Sequence, residues 1–109
     1  MEKLEQIKKI IKSAKLEQVE RNGYKNYVVH VTLVDGKEID VRVKNFELDA
    51  LVEDAGIDKF VVNFDIRLSS EANKEFACFV VSLPEIDYEL LAFPSRETMA
   101  MLNLRIMKK

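Results

Sequence analysis

Between Tyr24 and Lys44, apolar side chains recur at every second position on both sides of Asp35-Gly36. Tyr27, Val29, Val31 and Leu33 share one face of a strand, and Val28, His30 and Thr32 share the other. Ile39, Val41 and Val43 then alternate with Glu38, Asp40, Arg42 and Lys44, the period of a strand with one buried face. A two-residue connection would set Ile39 opposite Thr32 and Val41 opposite His30, with the two apolar sets on opposite faces. A three-residue connection, Val34-Asp35-Gly36, sets Ile39 opposite Val31 and Val41 opposite Val29. A slip of one residue flips every side chain, so burial of one face selects the second register, with a type I turn and a bulge at Gly36. His30 then points away from the core.

Other segments are organised around this hairpin. Leu4, Ile7, Ile11 and Ala14 fall at helical spacing, with acidic residues early and lysines late, as the helix dipole favours. Leu16 lies on the other side of that wheel, so the helix is expected to end near Ala14. Asn22-Gly23 suits a type I′ turn and makes Lys15 to Arg21 a strand paired with Tyr24 to Leu33. Leu48, Leu51, Val52 and Ala55 form the stripe of a helix over Phe46 to Ala55, capped by Asn45 and stopped at Gly56. Phe60 to Leu68 alternates again, with Phe60, Val62, Phe64, Ile66 and Leu68 inward. Ser69 to Lys74 is a polar loop. Phe76 to Leu83 is apolar on both faces, as in a central strand, and Pro84 ends it. Ile86, Tyr88 and Leu90 alternate with Glu85, Asp87 and Glu89 like an edge strand. Pro94-Ser95-Arg96-Glu97 resembles a helix start. Met101, Leu104 and Met107 then suit a helix, whereas Leu102, Leu104 and Ile106 suit a strand; the helix is preferred. The expected class is α+β: a mainly antiparallel twisted sheet of about five strands, with an N-terminal helix, a middle helix and a C-terminal helix or strand. Residues 1–109 are read as one such domain.

The chemistry available is narrow. With 17 basic and 19 acidic side chains and a net charge of −2, there is no global electrostatic case for nucleic acid. The single cysteine, Cys78, excludes an internal disulfide and suits a reducing compartment. The N-terminal residues lack an apolar signal-peptide region, so a cytoplasmic location is expected. His30 is the one histidine, and the sequence names neither a nucleophile nor an orienting partner for it. Cys78 sits among aromatics and valines, which suits a buried apolar role. Zinc would need several Cys or His ligands. The glycines stand singly, with no phosphate loop. No catalytic, cofactor-binding or metal-ligating residue is therefore assigned.

Three surfaces remain. Glu85, Asp87 and Glu89 around Tyr88 form an acidic rim about an aromatic anchor, suited to a partner with a basic surface. Met99, Met101 and Met107 give the tail an adaptable apolar surface that can pair two copies as a homodimer. Lys3, Lys8, Lys9, Lys12 and Lys15 on the first helix, with Tyr24 and Tyr27 stacking on bases, offer a nucleic-acid site. The expected function is non-enzymatic protein binding, in keeping with a phage or mobile-element accessory protein that inhibits a host system stoichiometrically. Nucleic-acid binding through the first helix is the alternative, and small-ligand sequestration the third.

Overall fold

A computed structural model describes residues 2–43, 47–69 and 74–107, with side chains from Glu5 onward and that of Ser69 excepted. The element order is α1 (Glu2–Ile10), β1 (Ile11–Arg21), β2 (Tyr24–Leu33), β3 (Glu38–Val43), α2 (Leu48–Ala55), β4 (Val61–Ser69), β5 (Lys74–Leu83), β6 (Tyr88–Ala92) and α3 (Arg96–Met107), with 3-10 turns at Ile57–Lys59 and Pro84–Ile86. The α+β class holds, but the single five-stranded sheet does not. The strands form two three-stranded antiparallel sheets, β1-β2-β3 and β4-β5-β6. In space β1 runs beside β4 and β3 beside β6. The sheets therefore close over one another, and their inner faces meet in one core containing Leu16, Val29, Val31, Val41, Phe64, Phe79 and Val81. Two small sheets packed face to face bury both apolar faces at once.

The hairpin register is the expected one. Val29 pairs with Val41, Val31 with Ile39 and His30 with Asp40. Gly36 has φ 92°, and its N–H donates to the Leu33 carbonyl at 2.9 Å. Asp35 accepts from the Lys37 N–H at 2.9 Å, and the Arg105 Nε–H donates to its other oxygen at 3.0 Å, fastening α3 to this turn. Asn22 and Gly23 take φ values of 54° and 79°, as a type I′ turn requires.

The first helix ends sooner than its periodicity suggests. Helix α1 stops at Ile10, whose carbonyl accepts the Val34 N–H at 2.9 Å. Ile11 already pairs with Leu33 and Ala14 with Val31, with an irregularity at Lys12. Pairing with β2 thus outweighs local helix spacing, and Leu16 turns inward on a strand. The proposed Asn45 cap lies outside the described residues, as do Lys44 and Phe46; Leu4 belongs to α1, but its side chain lies outside them too. Gly56 does stop α2 with φ 94°, although its ψ of 138° is extended rather than left-handed helical. Strand β5 is central, as expected. Leu68, however, is 63% exposed, because it stands near the end of the β4–β5 hairpin. Ser69 and Lys74 pair with each other as strand residues, and the loop between them lies outside the described set.

The tail is a helix, capped by the Ser95 hydroxyl accepting the Thr98 N–H at 3.1 Å. Its inward side is Met99, Leu102 and Ile106, not the Met101, Leu104 and Met107 stripe, whose last two members are exposed. No helix among the described residues is long and apolar enough to cross a membrane.

Candidate functional site

Because side chains alternate along each strand, the ladders lay out the outer face of the first sheet in rows. Arg21 lies opposite Tyr24 and Val19 opposite Asn26. Glu17 and Arg42 flank Val28, and Lys15 and Asp40 flank His30. Ser13 and Glu38 flank Thr32. Lys15, Val19, Arg21, Asn26, Glu38, Asp40 and Arg42 are all exposed, so no helix among the described residues lies across the face. One end of it is cationic and the other anionic.

At the anionic end His30 Nδ1 is 2.7 Å from Asp40 Oδ1 and Nε2 is 3.0 Å from Glu38 Oε1. Glu17 stands 4.0 Å from Nδ1 and pairs with Lys15 at 3.2 Å. A neutral imidazole has one N–H, so both contacts are donated together only by the imidazolium. The hydrogen bond to Asp40, then that to Glu38, raises the His30 pKa above its ordinary value, against a smaller opposing effect of burial. With both nitrogens held by carboxylates, neither is left to accept a proton from a nucleophile. The linkage has a definite sign. A raised folded-state pKa adds stability below the unfolded value of about 6.5, and this is lost as pH climbs through the folded value. Stability measured by urea midpoint should therefore fall as pH rises from about 6, by less than about 1 kcal/mol because the carboxylates are exposed. His30→Gln should flatten the profile in that window. Parallel profiles for the two proteins would refute the assignment.

At the cationic end Val19, Arg21, Asn26, Val28 and Arg42 line a cavity of about 230 Å³. Val28 is only 7% exposed despite pointing outward between Glu17 and Arg42. Neither arginine side chain makes an ion pair or hydrogen bond with another described residue.

The surfaces expected from sequence are rearranged. Glu85 sits in a 3-10 turn, Asp87 takes a left-handed conformation at φ 55° and Glu89 lies on β6. The three carboxylates thus do not line one face of an extended segment, and Glu89 is paired with Arg67 at 3.1 Å. Tyr88 lies on the inner face opposite Leu83, half-buried. Its hydroxyl is buried and lacks a hydrogen-bond partner among the described residues. Burial, with the nearby Glu47 carboxylate, raises its pKa. Met101 is half-buried, while Met107 is 78% exposed. Lys8 and Lys9 stay on α1, but Lys12 and Lys15 belong to β1, so the four lysines do not share a helix face; the Lys3 side chain lies outside the described residues. Tyr24 is exposed on the outer face and Tyr27 buried on the inner one, which separates the supposed base-stacking pair.

Tyr27 instead ties the sheet to α2. Its hydroxyl donates to Asp49 at 2.6 Å, and burial first, then this bond, pushes its pKa up to about 12. Cys78 is fully buried, and burial raises its thiol pKa, the condition of an inert cysteine. No group of three or more His, Cys, Asp or Glu among the described residues has a metal-holding arrangement.

Comparison of the chain with protein-family models, curated proteins and solved structures finds no match. The site just described was missed in the sequence because Arg21 and Arg42 are distant along the chain. The available signal was their outward phase on strands either side of β2.

Proposed function

We propose that the chain is a protein-binding module acting by stoichiometric association through the outer face of β1-β2-β3. The reading rests on the charge layout of this face, with Arg21 and Arg42 lacking a described counter-charge toward one end, Glu38 and Asp40 gathered about His30 at the other, and the Glu17–Lys15 pair between them. Val19 and Val28 supply an apolar floor at the cationic end. A partner laid along such a face finds one favourable orientation, because opposite ends attract opposite charges and the reverse docking juxtaposes like ones. Nucleic acid is disfavoured by the same layout. Its uniform backbone charge would meet three carboxylates on the face.

The test is quantitative capture of a partner by the full chain, with stoichiometry read by sedimentation. Val19→Glu places a carboxylate at the rim of the face, and Asn63→Lys serves as a control on the exposed outer side of β4. The reading expects a one-to-one complex whose affinity falls at least about fivefold with Val19→Glu, the effect of roughly 1 kcal/mol typical of a contributing interface position. The control should leave it unchanged. Equal responses to the two substitutions, or repeated turnover of a substrate by the purified chain, would defeat it.

A further inference from the structure

We propose that the cavity between Arg21 and Arg42 is a carboxylate seat, taking an aspartate or glutamate side chain of the bound protein segment. This deepens the protein-binding reading above and rests on it. The argument begins with missing counter-charge. Two guanidinium-bearing side chains line one concavity, yet no described carboxylate answers them. Glu17, flanking Val28 on the same row as Arg42, is engaged with Lys15 and faces His30. Asp40 and Glu38 are taken by His30. Neither charge is answered within the described fold, and an incoming anion gains charge-assisted hydrogen bonds from either guanidinium.

The dimensions select the ligand. A cavity of about 230 Å³ falls below the roughly 300–1,000 Å³ of sites for drug-sized molecules, but it admits a carboxylate on a short stem. Val19 and Val28 provide apolar surface for that stem. Asn26 Nδ2 already donates to the Tyr24 carbonyl at 3.3 Å; its second N–H remains to bind the anion. The guanidinium fork matches a planar carboxylate through two parallel bonds. A phosphate would satisfy the same forks, but a nucleic-acid strand would carry further phosphates past Glu17, Asp40 and Glu38. A single acidic side chain flanked by neutral or basic neighbours meets no such obstacle.

The probe is a fluorescent peptide with a central glutamate and lysines toward one end, titrated into the full chain by anisotropy. Its glutamine counterpart, inorganic phosphate as competitor and an oligothymidylate serve as comparison arms. The glutamate peptide should bind and the glutamine peptide should bind at least about tenfold more weakly, the usual worth of a charge-assisted pair. Arg21→Gln and Arg42→Gln should each cost a similar factor. Arg21→Lys should recover only part, since it keeps the charge and loses the fork. Both arginines are exposed, and an unchanged amide NMR spectrum away from the site certifies each variant's fold. Indifference to both Gln substitutions, equal binding of the two peptides, or tighter binding of oligothymidylate than of the glutamate peptide overturns the seat. The two readings fail separately. Partner capture that is lost with Val19→Glu but intact in the Arg21→Gln/Arg42→Gln double variant overturns the seat and leaves the binding face. Arginine-dependent binding of the glutamate peptide by a chain that captures no protein partner in a one-to-one complex upholds the seat and defeats the wider face.

Discussion

Replacing Phe79 by alanine is expected to destabilise the fold by about 3–5 kcal/mol, the range for truncating a buried aromatic. Phe79 is 1% exposed and lies on β5 between Phe64 of β4 and Ala92 of β6. Its ring meets Phe64 at 5.1 Å with an interplanar angle of 65°, the edge-to-face geometry that aromatic quadrupoles prefer. Removal leaves a void at the meeting of the two sheets. Neighbouring strands cannot fill it without breaking their ladders, so little relaxation is available. Against a total stability of roughly 5–15 kcal/mol, the loss is a large share, and the thermal midpoint should fall by at least about 12 °C. Phe93→Ala is the comparison. Phe93 is 58% exposed and rests on Phe76, so its loss should cost less than about 1 kcal/mol. Similar midpoints for the two variants would show that the sheets do not share the core described.

Val41→Asp should cost at least about 3 kcal/mol, because it places a carboxylate without a partner among apolar side chains. Val41 is 3% exposed and faces Val29. Its neighbour Arg42 points the other way and is exposed, so Arg42→Gln should change stability by no more than about 0.5 kcal/mol. Chemical denaturation of both variants reads the register directly. A one-residue slip of β3 would reverse the order of the two effects.

That register was legible because the turn chemistry of Asp35-Gly36 and the alternation of Val29, Val31, Ile39 and Val41 point to one answer. The His30–Asp40 pair follows from the same choice, since residues facing each other outside the core belong to the same ladder. The end of α1 was not legible. Ile7, Ile11 and Ala14 fit a helix as well as Ile11 and Ala14 fit a strand, and the deciding contacts are with Leu33, Val31 and Val34, far along the chain. The same limit applies to the sheets. Local alternation tells which side of a strand is apolar, but not which edges pair. Phe60 to Leu83 reads identically whether its strands extend the first sheet or form a second. The carboxylates of 85–89 misled because their alternation imitates a strand through a segment where Pro84–Ile86 makes a 3-10 turn and Asp87 bends the chain. For α3, apolar residues lie on several sides of the helix, so composition alone did not say which of them turns inward.

The buried position of Cys78 at the centre of β5 makes the native chain its own chemical clock. A thiol reagent reaches that sulfur only while the strand is open, so the rate of modification counts openings of the second sheet one molecule at a time. Followed in the presence of a ligand held on the other sheet, that rate reports how far stabilisation at one face is transmitted through the shared interior to the other.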